Sequence, residues 1–162
     1  MMAISESISE ELLKKSMDAS ASAQEVVINN QEIDNSDPDK DVNNKHGLAY
    51  LEVHGINAAD SIDILGNKDA FVDRLKNFAS IAKSKYGKLM ECKATMNMEQ
   101  YANESAELKK ECNYLSINKL FITSKLHEQK ARTGDTNFVI ENFKDYEDEI
   151  MRVINLVDEY LA

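Results

Sequence analysis

Three histidines, His46, His54 and His127, are the side chains best suited to nucleophilic or metal chemistry near neutral pH. No glutamate precedes any of them at the Glu-x-x-His spacing that holds paired metals in helical bundles. Each imidazole is therefore expected to be a solvated side chain or a local cap, and no metal site is predicted. Cys92 and Cys112 lie outside any Cys-x-x-Cys pattern, which favours free thiols in the core or at helix ends.

Composition narrows the class of protein further. The 162 residues suffice for one domain with a tail, and the formal net charge of −10 disfavours nucleic acid and anionic lipid as partners. No apolar run approaches the roughly 20 residues that span a membrane, and residues 1–18 lack a signal-peptide pattern. The five glycines are too dispersed for a phosphate-binding loop. We therefore expect a cytoplasmic protein with no cofactor and no membrane partner.

Residues 1–45 differ in composition from the rest of the chain. They carry ten acidic and four basic residues and no aromatic residue, which predicts a largely disordered acidic tail. Within it, residues 4–15 have apolar residues at helical spacing. Two interpretations stay open for this segment: a short docking helix, or a transient helix in a disordered arm.

Helical periodicity dominates from residue 55 onward. Asn57 is expected to cap a short helix over 58–65 that Gly66 ends, and a long amphipathic helix follows over about 69–93.

The apolar spacing predicts three more helices after residue 93, namely a third segment, a fourth segment and a last helix. Asn97 and Ser116 are expected to cap the third and fourth segments, and residues 134–136 to form the turn before the last helix. The expected apolar stripe of the fourth segment consists of Leu120, Phe121, Ser124, Leu126 and Ala131. The pattern predicts an all-α protein, an antiparallel four-helix bundle with a short preceding helix.

Residues 55–161 contain several short segments in a characteristic order. They are Gly55-Ile56-Asn57, Leu65-Gly66-Asn67-Lys68-Asp69-Ala70-Phe71 with Leu75 and Phe78, Met96-Asn97-Met98, Leu108-Lys109 and Arg132-Thr133-Gly134-Asp135. In this order and spacing they resemble the histidine-containing phosphotransfer (HPt) domain of two-component phosphorelays. The resemblance implies a four-helix bundle that exchanges phosphoryl groups with receiver domains.

The resemblance breaks at the residue that performs the chemistry. In that family the central helix contains the sequence His, any residue, Leu, Lys, Gly. The five corresponding residues here run from Ala106 to Lys110, so alanine stands in place of the histidine and lysine in place of the glycine. An imidazole lone pair attacks the aspartyl phosphate and holds the phosphoryl, and a methyl group does neither. A later glycine of the family frame is Ser116, and only Lys109 remains of the polar signature. No catalytic residue is therefore predicted.

The same helix predicts a partner-binding face. Helical spacing places six residues on an outward side that, in the family, meets the receiver domain. These residues are Ala102, Asn103, Ala106, Lys109, Lys110 and Asn113. An ordinary solvated helix face is the competing interpretation.

Three functional hypotheses follow. The first is an HPt-like module that binds a response-regulator receiver domain or a histidine kinase without accepting phosphoryl. The second is an active phosphotransfer protein that uses another histidine, for which His127 is the candidate because it lies on a bundle helix. The third is a structural bundle unrelated to phosphorelay. The oligomeric state stays open, with a monomer favoured.

Overall fold

The computed structural model describes residues 37–162, so most of the predicted tail, including segment 4–15, lies outside the described residues. Within residues 37–162 the chain is helical and contains no strand. The helices are α1 (Leu48–Val53), α2 (Ala58–Leu65), α3 (Lys68–Ala94), α4 (Met98–Tyr114), α5 (Asn118–Arg132) and α6 (Thr136–Leu161).

The four long helices form the predicted bundle. Three-residue connections join α3 to α4, α4 to α5 and α5 to α6, so successive helices run antiparallel. Each packs against the next, and α6 packs back against α3. The prediction of an all-α four-helix bundle preceded by a short helix is therefore confirmed for the described residues.

Side-chain caps explain where most of these helices begin. Asn57 and Asn97 accept hydrogen bonds from the backbone of Asp60 and Gln100, both at 3.1 Å, as predicted. Asp135 does the same for α6, also at 3.1 Å. Helix α3 begins one residue earlier than predicted, because Asn67 accepts from the Ala70 amide at 2.8 Å.

At the carboxyl end of α2, Gly66 takes the left-handed conformation with φ +98°, as expected of a residue that ends a helix.

The prediction that Ser116 caps α5 is wrong. The residue before the helix is Ile117, and it makes no side-chain cap hydrogen bond. Ser116 has φ +50°, in the left-handed region that favours glycine, and its carbonyl accepts from the Asn57 amide at 3.2 Å. The turn between α4 and α5 is thus held by the residues before α2 and not by a cap.

The core follows the predicted periodicity with one exception on α5. Leu120, Ser124 and Ala131 are buried as predicted, but Leu126 is 40% exposed. His127 lies in the core at 1% exposure. The buried side of α5 therefore includes His127 in place of Leu126, and the imidazole finds a hydrogen-bond partner, the Tyr101 hydroxyl, inside the bundle.

Helix α1 was not predicted, since six residues are too few to show a period. Its Leu51 is fully buried in the core, and the segment before it contacts the end of the bundle. Lys45 forms an ion pair with Glu159, and His46 Nδ1 lies 2.9 Å from the Tyr160 carbonyl oxygen.

Candidate functional site

Helix α4 presents most of the predicted face to solvent. Asn103, Lys110 and Asn113 are exposed, and Ala106 and Lys109 are half-buried between them. Ala106 therefore lies at the surface of the bundle and not in its core. The spacing that placed these residues together is the ordinary three-and-four rule of a helix surface.

Ala102 is the exception, and its predicted place on the outward face is wrong. The residue is fully buried. It lies two turns before Lys109, whose ammonium group pairs with Glu128 of α5, so both residues face α5. Helices α4 and α5 make the most extensive helix contact in the described chain, and the small side chain of alanine permits that approach.

An ion-pair network joins α4 to α5 at this face. Lys109 Nζ lies 2.6 Å from Glu128 Oε2, and Arg132 Nε lies 3.2 Å from Glu128 Oε1. Arg132 also donates to Asn103 Oδ1 at 3.4 Å. Burial opposes ionisation of Glu128, but the hydrogen bonds from Lys109 and Arg132 hold the pKa of its carboxyl below the usual value.

The ion-pair network includes Lys109 but not its neighbour Lys110. Lys109 is already paired with a carboxylate, whereas Lys110 is exposed and has no ion-pair partner among residues 37–162. With Arg132 included, three cations lie near Ala106, together with the carboxylates of Glu128 and of the exposed Glu107, which is three residues before Lys110 on α4.

Sequence analysis missed Glu128 and Arg132 as parts of this face. Their own spacing, four residues apart on α5, is visible in the sequence and predicts a local ion pair. The pairing of Glu128 with Lys109 depends on how α5 rotates against α4, which the sequence does not reveal.

A groove extends the face at the carboxyl end of α4. The groove has a volume of about 370 Å³, and Asn113 forms part of its wall. Helix α2 contributes Ile64, which is 58% exposed, and α5 contributes the half-buried Phe121. Asp60 and Asp63 add two carboxylates. Three helices build this groove, so no local sequence pattern indicates it.

The histidines lie away from this face or beneath it. His54 is exposed, and its Nδ1 lies 2.8 Å from the Tyr50 carbonyl oxygen, in keeping with the predicted local role.

His127 is neither solvated nor a cap, contrary to the prediction. Its Nδ1 lies 2.8 Å from the Tyr101 hydroxyl oxygen, and its ring stacks on Tyr146 with centroids 4.3 Å apart. Burial lowers the pKa of His127 to about 4, although a hydrogen bond with the Asn142 backbone acts in the opposite direction.

The cysteines are free thiols buried in the described part of the bundle, as predicted. Burial raises the pKa of both thiols, and most strongly that of Cys112. Neither is placed to act as a nucleophile at the α4 face.

None of the described helices combines the length and apolar character needed to cross a membrane. Within residues 37–162, His, Cys, Asp and Glu side chains nowhere gather in threes as metal ligands would. The chain matches no family model, no curated protein and no solved structure in the three comparisons.

Proposed function

We propose that the protein is a cytoplasmic HPt-like module that binds a receiver domain or a histidine kinase through α4 and does not itself accept phosphoryl. It acts by occupancy, competing with a phosphotransfer-competent partner for the same surface. The observation that carries the proposal is Ala106, which lies at the bundle surface where the resemblance places the phosphoryl-accepting histidine.

The side chains around Ala106 support a binding role without transfer. A methyl group has no lone pair to attack an aspartyl phosphate. Lys109, which in the family offsets phosphoryl charge, is paired with Glu128 here. Lys110 fills the space that glycine leaves open in the family, and its exposed ammonium group adds a positive charge instead.

Charge supports an acidic partner. The resemblance implies that the α4 face meets the phosphoacceptor pocket of a receiver domain, which is acidic. The exposed Lys110, which has no ion-pair partner among residues 37–162, offers a positive charge next to Ala106, so contact with such a pocket is favoured at this residue despite the overall charge of −10.

An NMR titration of the isotope-labelled full chain with receiver domains and histidine kinases of the source organism tests the proposal. Shifts are expected to cluster at Ala106, Lys110 and Asn113. Lys110→Glu is expected to weaken binding by about tenfold, because it reverses the charge of the exposed cation. Lys76→Glu, at another exposed lysine on α3, is the control and is expected to leave affinity unchanged. If no receiver or kinase perturbs the α4 face, the proposal is wrong.

The alternative of transfer through His127 has a separate test. His127 is 1% exposed, so a phosphoryl donor reaches its ring only if the bundle opens. Incubation with phosphorylated receiver domains is therefore expected to leave no acid-labile phosphate on the chain. Labelling that disappears in His127→Ala would overturn the binding-only function and establish the phosphotransferase.

A further inference from the structure

A groove runs between the end of α3 and the start of α6, away from the α4 face. It has a volume of about 330 Å³ and is lined by Met90, Lys93, Ala94, Ile140 and Phe143. Met90 of α3 and Ile140 of α6 are 46% and 44% exposed, whereas Phe143 is 5% exposed. Among the described residues that line the groove, only Lys93 has a polar side chain. The groove is therefore apolar except for one positive charge.

Lys93 holds its charge at this groove. The side chain is half-buried, and its ammonium group lies 4.4 Å from the centre of the Phe143 ring. The face of an aromatic ring attracts a cation, so this contact keeps the ammonium group over the groove. Within residues 37–162 no carboxylate oxygen lies within 4.0 Å of it. Lys93 is therefore able to pair with an anionic group that enters the groove.

The neighbouring charges on α6 do not compete for this position. Lys144, further along α6, is already paired with Glu147 at 3.3 Å and with Asp148 at 2.6 Å. Glu141 is exposed and follows Phe138 by three residues, and Phe138 packs against α5, so Glu141 lies towards α5 and not towards the groove.

The α3 side of the groove is open and apolar. Lys88 and Glu91 line a different groove, which α3 forms with α4. The residues next to Met90 on the outer side of α3 are Gly87 and Ala94, both exposed and too small to cover the groove. A hydrocarbon chain is therefore free to extend along α3 from Lys93.

We propose that this groove binds a fatty acid of medium chain length, with its carboxylate on Lys93 Nζ and its hydrocarbon chain between Met90 and Ile140. One ammonium group matches one anionic group, and the remaining side chains offer only apolar contact, so the rest of the ligand carries no hydrogen-bonding group. The volume of about 330 Å³ lies at the small end of the range for ligand sites, which favours a medium chain over a long one.

Other occupants fit these features less well. An extended peptide brings backbone amide groups for which the groove has no hydrogen-bond partner. A second copy of the chain brings a formal charge of −10 to a surface that offers one cation. The same overall charge acts weakly on a single carboxylate, because salt screens charges beyond about 8 Å under physiological conditions.

An NMR titration of the isotope-labelled full chain with decanoate, kept below its micelle-forming concentration, provides the first test. Saturable shifts are expected at the amides of residues 90–94 and 140–143. Affinity is expected to rise about two- to fourfold for each CH₂ group from octanoate to dodecanoate, because each added group leaves water within the groove. Decyltrimethylammonium, which has the same chain length and the opposite charge, is expected to bind at least about tenfold more weakly than decanoate.

Substitutions separate the charge from the apolar contacts. Lys93→Met keeps a long apolar side chain and removes the cation, so decanoate is expected to bind about tenfold more weakly while decyltrimethylammonium binds no less tightly. Lys125→Met, at an exposed lysine of α5, is the matched control. Ile140→Asp places a carboxylate beside the ligand chain and is expected to abolish binding, whereas Ile64→Asp, at an exposed isoleucine of α2, is expected to leave it unchanged.

Thermal melting checks that each variant is folded. Shifts scattered over other exposed apolar residues, a lack of saturation, or equal affinity of wild type and Lys93→Met for decanoate would overturn the proposal. A mass that rises with concentration in sedimentation equilibrium and returns to the monomer's 18.3 kDa in Ile140→Asp would overturn it too, because a second copy would then cover the groove. Because the groove lies between α3 and α6, each of these results leaves the function proposed for the α4 face standing.

Discussion

Acid destabilisation through His127 is the prediction that the structure specifies most closely. The imidazole is packed between aromatic rings, with Tyr146 stacked on it and Phe138 5.5 Å away between ring centroids, and the Tyr101 hydroxyl on Nδ1. Among residues 37–162, no charged side chain acts on the ring to stabilise an imidazolium. Burial accordingly lowers the pKa of His127 to about 4 from an ordinary value of 6.5.

The sign of the effect follows from proton binding in the two states. Above about pH 6.5 the imidazole is neutral whether the chain is folded or unfolded, so His127 adds no pH dependence there. Between pH 6.5 and 4 the unfolded chain binds the proton and the folded chain does not, which favours unfolding as the pH falls. At about 1.4 kcal/mol for each pH step, the full interval lowers the free energy of unfolding by about 3 kcal/mol.

Urea unfolding at a series of pH values from 7.5 to 4, compared between wild type and His127→Gln, measures this contribution. Carboxylates titrate in both proteins, so the difference between the two curves isolates the imidazole. The difference is expected to be flat above about pH 6.5 and to change steadily below it. His54→Gln, at an exposed histidine, is the matched control. Parallel curves for wild type and His127→Gln would refute the reasoning.

Three further predictions concern the free energy of unfolding, measured by urea denaturation at neutral pH. Lys85→Met is expected to lower it by about 3 kcal/mol, because Lys85 Nζ lies 2.8 Å from the buried Glu104 carboxylate and its removal leaves that charge with only the Gln100 hydrogen bond and the more distant Lys88 ammonium group at 3.8 Å; a loss below about 0.5 kcal/mol would contradict this. Ser116→Gly is expected to raise it by about 0.5–1 kcal/mol, because φ is +50° there; a destabilised variant would show that the serine is preferred for another reason. Leu108→Ala is expected to cost about 2–5 kcal/mol and the half-buried Ala106→Ser well under ~1 kcal/mol, and the reverse order would mean that α4 is rotated from its described position.

Sequence reasoning succeeded where the signal is local. Asn57 and Asn97 each cap a helix through a hydrogen bond to the amide three residues later, and Gly66 ends a helix because it adopts a left-handed φ. These features depend on a few consecutive residues, so the sequence contains all the information needed. The last helix is similar: its regular four-three spacing leaves one choice of buried side, and Ile150 is fully buried on it.

Sequence reasoning failed where the decisive partner lies on another helix. Leu126 looked like a core residue on hydrophobicity alone, but Tyr101 offers a hydroxyl that makes burial of His127 possible instead. Ala102 was assigned to the outward face, and the close approach of α5 buries it. Ser116 resembles a helix cap in the sequence, yet the backbone at this turn is held by Asn57 from a different part of the chain.

The pairing of Lys109 with Glu128 bears most directly on function. The resemblance to the HPt family implies a lysine at position 109 that offsets phosphoryl charge, but a lysine acts on a phosphoryl group only if its charge is available, and here the ammonium group is 2.6 Å from the Glu128 carboxylate. Under the proposed function, Ala106 and the ion pair of Lys109 both count against phosphoryl transfer, because a methyl group offers no lone pair and a paired ammonium group is less available to a phosphoryl group. The position of Lys109 is explained by its role in joining α4 to α5 through Glu128.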